Sequence, residues 1–309
     1  MRLILAGSDD FSLPSLEAVR AAGHEVLAVL TAPDRPGDRG RPAPRPLRDA
    51  ARLLEIPVLQ PPRLRDPHER ERVGALGAEL LVVAGYGQLV PLALLERLPR
   101  GGLGVHPSLL PRHRGAAPIP AAILAGDPTT GVSIMRMERG WDTGPVLGQA
   151  MVPLPATATA PALRHQLAQL GARLLVAVLE RLKRGEAVAT PQDVRMATYA
   201  PPLRPADGAL DWERSAVAID RALRALAPWP PVTVPLAGLR VRLLAGGPAP
   251  GATPPTPGQV LGWEGESMLV ATGDGAFRVD RVQPPSRRPM TAAAFWRGRP
   301  TRPPTGSPR

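Results

Sequence analysis

Five short apolar runs punctuate the first half of the chain: Arg2–Gly7 (RLILAG), Glu25–Thr31 (EVLAVLT), Leu80–Gly85 (LLVVAG), Leu103–Pro107 (LGVHP) and Gly131–Met137 (GVSIMRM). None of them alternates apolar with polar residues, as a half-buried strand does, so each reads as a strand covered on both faces. Between them, Pro14–Ala22, Pro46–Leu54, Asp66–Leu76 and Pro91–Leu98 carry helical spacing, several opened by a proline. Strand and helix in alternation predict an α/β domain built on a parallel sheet, with ligands beyond the carboxyl ends of its strands. Leucines three and four residues apart over Ala160–Arg184 predict one long amphipathic helix whose role is packing.

The pattern changes after Ala189. Prolines at 191, 201, 202 and 205 mark a linker over residues 190–205. A helical stretch, Ser215–Leu226, then precedes short strand-like runs at 239–246, 258–263, 267–273 and 276–282, separated by Gly and Pro clusters. That spacing predicts a small antiparallel barrel or sandwich. The predicted organisation is a first domain over 1–189, a linker over 190–205, a second domain over 206–296 and a disordered, hydrophobe-free tail over 297–309.

Length supports two domains, since 309 residues exceed one average domain. No apolar segment is long enough to cross a membrane as a helix. The opening MRLILAGSDDF meets acidic residues within ten positions, so a cytoplasmic chain without a signal peptide is expected. Cysteine is absent, which excludes disulfides, thiolate nucleophiles and thiolate-bound zinc. The histidines (24, 68, 106, 113 and 165) lack the close pairing that metal sites favour, and no metal is expected. A net charge of +11 points to an anionic partner, nucleic acid first among them. Lys183 is the only lysine, asparagine does not occur, and prolines number 41. Coding bias toward arginine and proline is therefore a competing account of part of the basicity.

Candidate chemistry concentrates in Gly104–Ile119 (GVHPSLLPRHRGAAPI). His106 follows an apolar run, where a doubly wound sheet presents its ligand-facing ends, and Asp142 lies in a turn, GWDTGP, after a further run. A carboxylate beside an imidazole is expected to fix its tautomer and raise its basicity, which suits proton handling. A surface histidine and an unrelated turn aspartate are the plain alternative.

The whole run from Val105 to Pro145 resembles the signature of the 10-formyltetrahydrofolate-dependent formyltransferases. The likeness continues in LAGSDDF, Thr31–Pro42, Val82–Pro91, Arg221–Pro230 and the stretch ending at Met290, and covers roughly Met1 to Trp296. It is closest to the members that formylate methionyl initiator tRNA in translation initiation. The resemblance implies a Rossmann-like parallel-sheet formyltransferase domain followed by a smaller OB-like β-barrel that binds tRNA. It implies 10-formyltetrahydrofolate as cosubstrate, no metal, no membrane, and initiator methionyl-tRNA as partner of a monomer. His106 and Asp142 become the catalytic pair. Ser108, Leu109, Leu110 and Pro111, with Tyr86, Gly87 and Gln88, become folate-binding residues. Arg35, Arg39, Arg41 and Arg45, with Arg48 behind them, become a proline-stiffened arm that meets tRNA phosphates.

One departure bears on catalysis. Where the family has an asparagine that donates to the formyl oxygen, this chain has Gly104. Loss of one oxyanion donor costs about 10²–10³ in rate. A water or Gln88 is the expected substitute, and a positive φ at Gly104 would bar the asparagine. Asp9 replaces a proline, Pro202 a lysine, and Ser286–Arg288 a run of glycine and lysines. Pro202 and the Ser286–Arg288 run bear on how tRNA is met, and Asp9 is expected to offset the positive field near the first loop. Two alternatives stay open: a weak or inactive tRNA- or folate-binding homologue, and a formyltransferase for another amine, such as a nucleotide sugar or glycinamide ribonucleotide. A dehydrogenase is disfavoured, because no glycine-rich fingerprint follows the first strand.

Overall fold

The apolar runs become neighbouring strands of one sheet. A computed structural model describes residues 1–34, 45–250 and 256–298, and the chain packs as two compact units. The first comprises Met1–Pro118, Pro128–Pro153 and Ala162–Ala200. Its strands are β1 (Arg2–Ala6), β2 (Glu25–Leu30), β3 (Val58–Leu59), β4 (Leu80–Val83), β5 (Gly102–His106), β6 (Arg114–Gly115), β7 (Thr129–Arg136), β8 (Val146–Pro153) and β9 (Tyr199–Ala200). Seven form a sheet in the order β3-β2-β1-β4-β5-β7-β8, while β6 and β9 pair on their own.

The sheet is parallel from β3 through β5, as the pattern predicts, but β7 runs antiparallel to β5 and β8 antiparallel to β7. An apolar run carries no sign of its direction, so the parallel expectation failed there. Edge strand β8 is covered on one face only, and its alternating exposure hid it among loop residues.

Helices α1 (Leu13–Ala21), α2 (Pro46–Leu53) and α3 (Pro67–Gly74) begin with proline in the first turn, where its missing N–H costs no bond. Helix α4 (Leu92–Leu95) is shorter than Pro91–Leu98, because Arg97 and Leu98 turn onto carbonyls three residues back and Pro99 follows. Helix α5 spans Pro118–Ala125 and α6 spans Ala160–Lys183. Ile4, Ala28, Leu30 and Leu81 from the sheet pack with Leu64, Val73 and Leu94 into a core.

The predicted boundary at Ala189 falls inside this first unit. Thr190 exchanges two 2.8 Å backbone hydrogen bonds with Val146, and β9 pairs with β6. The first part of the expected linker is thus folded.

The second unit comprises Ile119–Asp127, Leu154–Pro161 and the chain from Pro201 onward. Helix α7 (Ala216–Ala225) is capped by Ser215, whose hydroxyl accepts the Ala218 N–H at 3.1 Å. Strands β10 (Thr233–Leu236), β11 (Leu239–Ala249), β12 (Val260–Glu264), β13 (Ser267–Ala271), β14 (Ala276–Gln283) and β15 (Met290–Thr291) form an antiparallel sheet. Its order is β10-β11-β14-β13-β12, with β15 beside β14. Phe277 and Trp212 pack with ring centres 6.3 Å apart in its core. Arg224 pairs with Asp220 and donates to the Ala158 carbonyl at 2.9 Å, tying Leu154–Pro161 to α7. Helix α8 (Ala292–Arg297) carries order into the first residue of the expected tail, and residues from 299 on lie outside the described residues.

Candidate active site

β5 ends at His106 between β4 and β7, at the place where the sheet turns from parallel to antiparallel pairing. The imidazole is buried, 6% exposed. Its Nε2 lies 2.9 Å from the His113 carbonyl oxygen. A carbonyl only accepts, so Nε2 carries the proton and the neutral ring keeps its lone pair on Nδ1. That Nδ1 faces the Asp142 carboxylate, 3.6 Å away at Oδ2. His106 and Asp142 therefore do converge. Yet the His113 carbonyl, not Asp142, fixes the tautomer.

Burial lowers the His106 pKa and outweighs the raising effect of Asp142. The expected rise in basicity is reversed: desolvation keeps the ring neutral, while the carboxylate waits to stabilise any proton arriving at Nδ1.

Asp142 is positioned by more than its turn. It sits at φ +54°, in the left-handed region that costs a non-glycine residue energy. Its Oδ2 accepts the Gly115 N–H at 2.8 Å. Its carbonyl and that of Gly144 accept from the Gln192 side-chain amide at 2.9 and 2.7 Å.

The Ser108–Pro111 loop is pinned from below. Ser133, paired with His106 across the strands, donates to the Ser108 carbonyl at 2.7 Å and accepts the Leu110 N–H at 3.0 Å. Gln149 adds bonds to the Leu110 carbonyl and the Ser133 hydroxyl. The Ser108 hydroxyl closes the loop on the Arg112 carbonyl at 2.6 Å. A cavity of about 340 Å³ beside this network is walled by Leu110, Pro111, Gln149, Arg181 and Gln192, among others. Leu110 and Pro111 thus reach it, while Tyr86, Gly87 and Gln88 do not line it.

Tyr86 packs against the core of the first unit, and burial pushes its phenol pKa to about 12. Gln88 spends both ends of its amide on the chain nearby, donating to the Pro61 carbonyl at 2.8 Å and accepting the Leu64 N–H at 2.9 Å. These two bonds fix the orientation of the amide and leave one of its two N–H groups over. Gly104 is buried in extended strand, without a positive φ, and is paired on both sides, with Val83 and with Met135. Its N–H belongs to the sheet ladder and is not aimed at a ligand.

Asp9 caps the turn before α1 by accepting the Phe11 N–H and forms an ion pair with Arg164, which also meets Asp10 at 2.9 Å and lies over the Phe11 ring. Its charge is spent on Arg164, so it offsets one local cation and not a diffuse field. In the expected arginine arm, Arg35, Arg39 and Arg41 lie outside the described residues. Arg45 donates to the Pro33 carbonyl at 3.0 Å. Arg48 is buried, 9% exposed, and paired with Asp34 and Asp49. It anchors the base of the segment and is not available to phosphate.

The residues that sequence reasoning missed are Ser133, Gln149, Gln192, Arg114 and His113. Ser133 had a visible signal, as a hydroxyl inside an apolar run. Among the described residues, no group of three His, Asp or Glu side chains is placed to hold a metal. No helix among them is long and apolar enough to cross a membrane.

Comparison with known proteins bears on this geometry. Residues 1–179 match the family model described as formyl transferase, and residues 202–300 the one described as formyl transferase, C-terminal domain. The methionyl-tRNA formyltransferase of Chloroflexus aggregans is 45% identical over 300 residues, covering 96% of this chain and 97% of that protein. Among solved structures, a Helicobacter canadensis N-formyltransferase with folinic acid and dTDP-3-aminofucose has a TM-score of 0.69 at 17% identity, over 91% of this chain and 98% of that one. HypX from Aquifex aeolicus, in complex with tetrahydrofolic acid, has a TM-score of 0.65 at 18% identity, over 96% of this chain. The match takes in 46% of HypX, so this chain spans about half of that protein's length. At such identities the two structures speak to the fold alone.

Proposed function

The chain belongs to the formyl transferase family, and from that premise we propose that it moves a formyl group from 10-formyltetrahydrofolate to the amino group of methionyl initiator tRNA. The observation that carries the mechanism is the His106 ring, with Nε2–H spent on His113 and Nδ1 open toward Asp142.

The neutral amine attacks the formyl carbon, a C–N bond forms, and the carbonyl electron pair moves to oxygen. The amine is then cationic and must lose a proton. Nδ1 of His106 is a base held neutral by burial, and it accepts that proton. The imidazolium so formed has Asp142 beside it and donates toward the developing oxyanion or N10. Collapse of the tetrahedral intermediate breaks the bond to N10, which receives the proton as it leaves. Gly104 brings no side-chain donor and its N–H belongs to the sheet ladder, so the protonated ring carries more of the oxyanion stabilisation than a site with an asparagine would ask of it.

The pinned Ser108–Pro111 loop is the proposed wall of the folate site, with Tyr86, Gly87 and Gln88 as further proposed folate-binding residues. Arg39 and Arg41, with the second unit, are the proposed tRNA contacts. The likeness over 97% of a methionyl-tRNA formyltransferase supports this acceptor over a nucleotide sugar. The test is a competition among acceptors. With 10-formyltetrahydrofolate as donor, methionyl initiator tRNA should be formylated faster than methionyl elongator tRNA, and a dTDP-amino sugar or glycinamide ribonucleotide should not react. Preference for either small amine would replace this reading.

A further inference from the structure

Asp142 needs help to stay where it is. It is a non-glycine residue at φ +54°, in a turn that also holds Gly140 and Gly144. Left to itself, such a turn has many conformations available and no reason to choose the one that faces His106. Two residues outside it make the choice. The Gly115 N–H holds the carboxylate. The Gln192 amide nitrogen spends one N–H on the Asp142 carbonyl and the other on the Gly144 carbonyl. The Gln192 carbonyl oxygen is held in turn by Arg114, through Nε at 3.0 Å and Nη2 at 2.8 Å. Arg114 and Gly115 are consecutive, so the bonds close a ring: Asp142 carboxylate, Gly115, Arg114, Gln192, Asp142 carbonyl.

We propose that Gln192 is a positioning residue for the formyl transfer, the strap that holds Asp142 in its left-handed conformation against Nδ1 of His106. Only a primary amide can do this. It accepts a guanidinium with its oxygen while giving two N–H bonds to two carbonyls. A glutamate of the same shape keeps Arg114 but turns an acceptor toward two acceptors. Gln192 is not needed merely to fasten its own segment. Thr190 is bonded twice to Val146, and Thr198 binds the Arg114 N–H at 2.9 Å and the His113 N–H at 2.8 Å. The strap's effect should therefore be local.

The proposal rests on the formyl-transfer reading for its catalytic part but not for its geometry, so two readouts separate them. The first is the titration of His106 in ¹⁵N-histidine spectra of the full chain, assigned with His106→Gln. The titratable groups facing His106 are Asp142, which favours the imidazolium, and His113, which opposes it. Gln192→Met, which removes both N–H donors without adding a charge, should free Asp142 and move the His106 titration to lower pH, in the direction that Asp142→Asn moves it. The second readout is kinetic. The same variant should lose about 10–10² in kcat, the scale set by a misplaced catalytic group, with KM for both substrates nearly unchanged. Gln192→Leu, which also removes the amide without changing charge, should repeat both effects if Gln192→Met fails to fold. A folded variant whose His106 titrates as in the parent chain overturns the proposal, whatever its activity. A shifted titration in a chain that transfers no formyl group leaves the strap standing and removes the function instead.

Discussion

The thioether methyl of Met135 stands 3.0 Å from the point where a Cβ on Gly104 would lie. Gly104 and His106, two apart in β5, share a face of the sheet, and Met135 is the cross-strand partner of Gly104. A side chain at 104 would thus emerge beside the imidazole, against the flexible end of a methionine. The backbone there is extended and accepts any residue. Gly104→Asn should fold, with Met135 yielding a few tenths of an ångström, and should raise kcat by up to about 10²-fold with little change in KM. Steady-state kinetics of the two chains check this. A folded variant without gain would mean that the missing donor is not what limits this site.

The pH dependence follows from which influence wins at His106. Transfer needs the neutral ring, and burial holds its pKa below the ordinary 6.5. The acid limb of kcat should therefore lie below 6.5, with activity lost as the pH falls through it. Asp142→Asn removes the influence that raises the pKa, so its limb should move further to the acid side, on a lower plateau. Single-turnover rates across pH ~5–8 read both effects. A limb above the ordinary histidine value would show that the carboxylate outweighs burial.

The arginines of the expected arm divide into two kinds. Arg48→Ala leaves Asp34 and Asp49 without their buried partner, and should lower the melting temperature while leaving the salt dependence of tRNA binding as it was. Arg39→Ala with Arg41→Ala should do the reverse, and each arginine–phosphate pair removed should flatten the slope of log K against log salt by about 0.7–0.9. Thermal melts and binding titrations at several salt concentrations separate the two. A slope unchanged by the double substitution would take the arm out of the proposed tRNA site.

Much of this was legible in the chain itself, for reasons that also mark the limits. β1, β4 and β5 are apolar almost throughout because both faces are covered, and α1 to α3 carry proline in their first turn, so their places could be read directly. His106 stood out because it ends an apolar run, and Asp142 because glycine and proline bound the turn that carries it. Strand direction was not legible, since GVSIMRM reads the same whether β7 runs with β5 or against it. β8 was missed because only one of its faces is buried. Gln192 gave no signal, being one amide in a proline-rich stretch whose partners lie 48 and 50 residues away. Arg48 misled for the matching reason. Its charged end looks free in sequence, and only the folded chain shows the carboxylates that claim it.

The account turns on one claim, that His106 moves the proton when a formyl group passes to methionyl-tRNA. The direct measurement is single-turnover formylation of methionyl initiator tRNA from 10-formyltetrahydrofolate by the chain, His106→Ala, Asp142→Ala and the double variant. The predicted result is formylmethionyl-tRNA from the parent chain, a loss of about 10²–10⁴ in His106→Ala, and no further loss in the double variant, because the two residues act as a unit. A parent chain that binds both substrates yet yields no product, or a His106→Ala chain that keeps more than about a tenth of the rate, would contradict it.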